Sequence, residues 1–100
     1  MALSDPRWHD GAVEDALSAR NWYAKRSAMA ARGFLLSLES AIDAVVEAPL
    51  RWPKARHGCR RHVFPNQYPF TLVYRLLDED TVQIVAVVHQ KRPPEYWHDR

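Results

Sequence analysis

Hydrophobic and polar positions along this chain follow two periods, one helical and one extended, that meet near residue 50. Before that point apolar residues recur every three to four positions, which places them on one face of a helix. Val13, Ala16, Leu17, Arg20, Tyr23 and Ala24 keep that spacing, and Asp10 or Gly11 is positioned to cap the helix they predict. Glu14 and Asp15 then fall near its start, where acids suit the positive end of the helix dipole. Ser27 breaks the run and offers a new N-cap. Beyond it Ala31, Phe34, Leu35, Leu38, Ala41, Ile42, Val45 and Val46 form the strongest periodic signal in the sequence. Gly33 interrupts that stripe at a cost of about 1 kcal/mol relative to alanine, and Pro49 ends it. The pattern predicts helices over about 10–26 and 28–47, folded into an antiparallel hairpin with one shared apolar face.

After residue 50 the period shortens to two. Residues 51–58 form a connection containing proline and glycine, and 60–64 reads as a short strand before the turn Pro65-Asn66-Gln67. Phe70, Leu72, Tyr74 and Leu76 alternate with Thr71, Val73, Arg75 and Leu77, predicting a strand over 69–77. The polar turn Asp78-Glu79-Asp80 leads to a further strand over 81–89, and connections this short make neighbouring strands antiparallel. One face of the last strand reads as Val82, Ile84, Ala86 and Val88, so the helices are expected there, against Phe70 and Leu72 as well. That assignment leaves Thr71, Arg75, Gln83 and His89 on an open face. The tail, 90–100, is too rich in proline for a strand and too aromatic for a free end; it is expected to fold back, with one helical turn after Pro93. The fold class is α+β: an N-terminal antiparallel helix hairpin packed on one face of a small antiparallel sheet, one domain over residues 1–100.

Charge sharpens this picture. Residues 1–50 carry five Arg/Lys against seven Asp/Glu, whereas 51–100 carry nine against five. Between Arg51 and Leu77 stand Arg51, Lys54, Arg56, Arg60, Arg61 and Arg75 without a single acid. Such a stretch is either a solvated rim or an attractor of polyanions and acidic protein segments. The single cysteine, Cys59, excludes an internal disulfide and fits a reducing compartment. With no membrane span and no signal-like start, the expected location is cytoplasmic.

Candidate chemistry is sparse. No phosphate loop or nucleophile elbow occurs, and His57, Cys59 and His62 match no zinc spacing, so neither a metal nor a cofactor is expected. His89, Arg92 and Tyr96 cluster near the end of the last strand, close to where Arg75 projects. Arginines of this kind can hold a phosphate while His or Tyr moves a proton; spacing alone favours the other reading, a satisfied strand-end histidine and an aromatic plug. Trp22 and Tyr23 read as core, and packing is the expected role of Trp52 and Trp97 too.

Several stretches together resemble the RelE/ParE toxins of type II toxin–antitoxin systems. They are Ala12 to Leu17 running into Asn21-Trp22-Tyr23, Phe34 to Pro49, Arg60-Arg61, Tyr68 to Arg75, and Ile84 to Trp97 with its closing His–x–x–Arg–x–Pro–x–Tyr–Trp pattern. The family usually begins with an edge strand, and here Leu3 to His9 is short and broken by Pro6. The resemblance implies a bacterial growth inhibitor neutralised by a cognate antitoxin, with a toxin–antitoxin hetero-oligomer; charge then predicts an acidic or amphipathic antitoxin segment over the open sheet face and the cationic stretch. RelE-like members cut messenger RNA on the ribosome; carried over, Arg61 (or Arg60), Arg92 and Tyr96 are then the catalytic residues. ParE-like members poison DNA gyrase without being nucleases, and the tail here looks more ParE-like. Target or antitoxin contacts implied on either reading are Arg56, Arg60, Arg61, Arg75, His89, Arg92, Tyr96 and Trp97. A degenerate member that binds antitoxin without toxicity is the third alternative.

Overall fold

In the computed structural model, which describes residues 5–100 (backbone alone at 94 and 95), the helical half divides at Ser27 as the sequence predicts. Helix α1 spans Asp10–Ala24 and helix α2 spans Ala28–Glu47. The Ser27 hydroxyl accepts a hydrogen bond from the Ala30 amide, satisfying a donor that α2 leaves free at its first turn. The cap of α1 is His9 rather than Asp10 or Gly11: its Nδ1 accepts from the Gly11 amide at 3.0 Å. Imidazole nitrogen here does the work expected of a carboxylate, and the helix begins one residue earlier. Glu14 and Asp15 therefore lie past the first turn, whose only acid is Asp10.

The predicted stripe of α1 is rotated. Ala12 and Ala19 are its buried residues, whereas Val13 and Leu17 are 40% and 45% exposed. A face of alanines lets the helix lie close to the sheet, and that close approach outweighs burial of two larger side chains at the flank. Trp22 is likewise outside the core, exposed, with the Arg26 guanidinium 3.4 Å from its ring centroid. Helix α2 buries Ala31, Phe34, Ser37, Leu38, Ala41 and Val45, close to the predicted stripe, with Leu35 left outside.

Three of the strands fall where the alternation places them: β2 at Arg60–Val63, β3 at Phe70–Asp78 and β4 at Thr81–His89. Both of their pairings are antiparallel. A two-residue strand, β1 at Arg7–Trp8, adds to the far edge of β4 in parallel, so the sheet is mixed, with order β1-β4-β3-β2. Pro6 immediately precedes β1, and His9 ends it by capping α1; Leu3 and Ser4 of the predicted segment lie outside the described residues.

One register feature redistributes the core. Val73 pairs with Ala86 while Tyr74 pairs with Ile84, so Val85 is an extra residue in β4. Before the bulge Val82 and Ile84 face the helices; after it Val87 does. Val85, Ala86 and Val88 turn to the opposite face, where they pack with Val73, Cys59 and Trp97. The sequence expectation that Ala86 and Val88 lie under the helices is thus overturned. The face left open in that reading is partly closed by the tail, which folds back through a 3₁₀ turn at Pro94–Trp97 and buries Trp97. Folding back with one turn after Pro93 is as expected.

The helix-side core centres on Phe34, fully buried among Tyr23, Phe64, Tyr68 and Phe70. Polar tips of the core aromatics are satisfied at its rim: the Tyr68 hydroxyl donates to the Ala30 carbonyl at 2.8 Å, and Tyr74 donates to Pro49 at 2.5 Å. Gly33 belongs to this arrangement, because a Cβ there would overlap the Tyr68 hydroxyl oxygen. Gly33→Ala is therefore expected to lose the Tyr68–Ala30 bond at a cost of about 1 kcal/mol, so that the substitution gains no stability. Helix propensity alone predicts about 1 kcal/mol in the opposite direction, and the urea midpoint of the variant separates the two.

Candidate functional site

The connection 51–58 pairs back along the outer edge of β2 and sets one wall of a cleft of about 540 Å³. It is anchored there by short-range geometry: Arg61 donates its amide to Pro53, Ala55 donates to Cys59, and Lys54 bridges to Arg60. His57 and Gly58 turn the chain with positive φ angles of 59° and 72°. The tail and the end of β4 make the other wall. Between them the floor is apolar, formed by Ala55, Val73, Val88 and Trp97.

Cations surround that floor. Lys54, Arg56, Arg61 and Arg92 all line the cleft, with His89 and His98, and no acid is among the lining residues. The one ion pair among the described residues, Asp15 with Arg100, lies outside it. A concave, single-sign surface with low-dielectric walls concentrates its field and attracts anionic groups. His98 adds a polar atom without a partner: its Nε2 is buried and makes no hydrogen bond within the protein.

Strand alternation decides which predicted residues arrive here. Arg61 pairs opposite Val73 and shares its face, so it reaches the cleft. Arg60 pairs opposite Tyr74, on the helix side, and its Nη1 donates to the Trp52 carbonyl at 2.8 Å. Arg56, Arg92 and Trp97 are all in the lining. His89 borders the cleft too, although it pairs opposite Phe70 rather than beside Thr71, and its ring stands edge-on to Phe70 at 5.1 Å. Arg75 is on the cleft side of the sheet but serves the tail, donating to the Arg100 carbonyl at 2.8 Å and to Gln83 at 2.7 Å.

Tyr96 is not in the lining. Its hydroxyl shares its proton between the Asp15 carboxylate at 3.1 Å and the Val87 carbonyl at 3.2 Å. Burial, followed by the Asp15 charge, pushes its pKa well above the ordinary phenol value. Arg61 and Arg92 thus meet at the cleft, while the tyrosine of the catalytic trio points its hydroxyl elsewhere. Cys59 and His62 do not converge either. Cys59 is buried beneath the tail, where burial raises its thiol pKa despite the opposing pull of Arg75. His62 packs its ring on Trp52, on the opposite side, and burial lowers its pKa. Lys54, Thr71, Gln90 and His98 complete the lining. Lys54 was legible as part of the acid-free cationic stretch and Thr71 from alternation, whereas nothing in the sequence marked Gln90 or His98.

A helix hairpin on one side of a small mixed sheet, with a cationic, apolar-floored cleft on the other, defines a small α+β domain whose exposed concave surface carries one sign of charge. The ParE toxin family of type II parDE toxin–antitoxin systems matches the chain over residues 7–94, and the chain belongs to that family. Among solved structures, one described as a chromosomal ParDE toxin–antitoxin system from P. aeruginosa has the same fold: TM-score 0.66 at 14% identity, covering 87% of this chain and 96% of that one. No curated protein matches the sequence. As the RelE/ParE resemblance implied, it is the ParE branch that fits, and no described helix is long and apolar enough to cross a membrane.

The cleft's cations are expected to act together on a polyanion. On immobilised heparin, Arg61→Ala and Arg92→Ala should each elute at lower salt than the unmodified protein, while Lys25→Ala, at the exposed end of α1, should elute less far from it.

Proposed function

We propose that this ParE-family toxin arrests bacterial growth in the cytoplasm by binding and poisoning DNA gyrase, and that a cognate antitoxin silences it by laying an acidic or amphipathic segment over the cationic cleft. The observation that carries this reading is the meeting of Lys54, Arg56, Arg61 and Arg92 around one apolar floor with no acid in the lining. A segment that presents carboxylates beside a large apolar side chain is complementary to both parts of that surface. Charge brings such a partner in quickly, and burial against Val73, Val88 and Trp97 holds it. Toxin and antitoxin then form a hetero-oligomer.

A binding mode of inhibition also suits the tail. Proton transfer to or from a ribose hydroxyl needs a group within hydrogen-bond reach of the substrate and a pKa near the working pH. The Tyr96 hydroxyl has neither, being held by Asp15 and Val87 with its pKa raised. That geometry argues for poisoning gyrase over a RelE-like ribonuclease using Arg61, Arg92 and Tyr96.

Induced expression without a partner tests the proposal. Growth arrest with broken chromosomal DNA and intact transcripts is the expected outcome. Arrest with cut transcripts would replace it with the ribonuclease reading, and no arrest from soluble, folded protein would leave a partner-binding domain without toxicity. Antitoxin affinity of Arg61→Ala is expected to fall on the order of tenfold, and the affinity of the unmodified protein should weaken as salt is raised. Titration calorimetry at two salt concentrations reads both.

A further inference from the structure

Strand β1 stops at Trp8, opposite Ile84, so among the described residues the outer edge of β4 beyond that point has no strand beside it. Bare edges of this kind leave backbone donors and acceptors unpaired. Here side chains take the missing strand's place. The Val87 amide donates to the Asp15 carboxylate at 3.1 Å, the Val87 carbonyl accepts from Tyr96, and the Val85 carbonyl accepts from Arg100 at 3.1 Å. Asp15, on α1, is the hub. The same Oδ2 atom also accepts from the Tyr96 hydroxyl at 3.1 Å and from Arg100 Nη1 at 2.7 Å. Its side chain is 8% exposed and that of Arg100 is 16% exposed, so water screens the pair little.

Room for Arg100 comes from Gly11. A Cβ on Gly11 would overlap the guanidinium carbon and Nε of Arg100 and lie 2.7 Å from its Nη2. The helix backbone cannot give way there, whereas the guanidinium can, so any larger residue at this position would evict Arg100. Arg75 clamps the same segment from the sheet by donating to the Arg100 carbonyl.

We infer that Asp15 is a positioning residue: with Gly11 and Arg100 it latches the tail to the bare edge of β4, and so holds Arg92 and Trp97 against the cleft. The bearing of this latch on toxicity rests on the function proposed above; the latch itself does not. Trp97 covers the sole cysteine, Cys59, which is 2% exposed and packs in the same cluster. That thiol is therefore a native reporter of whether the tail is seated.

Two variants test the inference without touching the cleft. Asp15→Ala removes the hub. Gly11→Ala changes no charge and, on helix propensity alone, would leave the fold as stable or more so. In both, labelling of Cys59 by a thiol reagent and chymotrypsin cleavage after Trp97 should speed up at least tenfold, with the circular-dichroism spectrum unchanged. Faster labelling together with an unchanged cooperative urea transition would show that the tail has loosened without the domain unfolding. Wild-type labelling and cleavage rates in both variants would overturn the latch. Faster labelling with undiminished growth arrest would overturn the positioning role. If the unmodified protein itself fails to arrest growth, the functional reading falls, and the labelling rates still decide the latch.

Discussion

Strand β4 is apolar on both faces, and each face has to be covered. From Val82 to Val88 only Gln83 is polar, and on both sides of the Val85 bulge the strand offers almost no residue suited to water. The helix hairpin covers one side with Phe34, Leu38 and the alanine face of α1. On the other side no second layer exists among the described residues, so the tail supplies Trp97, and the connection with the residue that follows it supplies Ala55 and Cys59. Both are short, and the sheet face they leave between them is the cleft. Its floor is the part of a hydrophobic surface that this chain has too few residues to cover.

The location of charge follows from the same shortage. Arginines and lysines of the connection and of β2 cannot enter either core, and alternation sends Arg61 to the cleft while sending Arg60 to the rim of the helix-side core. Acids are confined to Asp5, the helices, the Asp78–Asp80 turn and the tail, away from the lining. Asp15, on α1 at the outer edge of β4, is consumed by Arg100, Tyr96 and a strand amide. An apolar floor with unopposed cations around it is therefore built by exclusion as much as by placement. On the function proposed above, such a surface suits a partner that is both acidic and apolar.

Much of this was legible in the sequence because it rests on local rules. Helical spacing, the Ser27 cap and Pro49 delimited α2 to the residue; alternation and the Asp78-Glu79-Asp80 turn did the same for β4 and came within one residue for β2 and β3. Among site residues, Arg56, Arg61, Arg92, His89 and Trp97 were legible from charge, position and resemblance, and all five line the cleft. Other features had no local signal. A bulge inside Val85-Ala86-Val87-Val88 is silent in a pattern where every residue is apolar, so which of them faced the helices could not be read. The rotation of α1 was hidden likewise, because alanine and valine satisfy the same stripe.

What the sequence by itself determined is the set of elements, their order, the excess of cations in the second half and the family these imply, since each depends on neighbours a few residues apart. Only the tertiary structure decided which arginines converge, that the supposedly open face carries a seated tail, and that Asp15, Gly11 and Arg100 meet at the edge of β4. Those contacts join residues as many as 85 positions apart. They exist because β1 ends early and leaves backbone groups that some side chain has to satisfy, a demand that appears only once the strands are side by side.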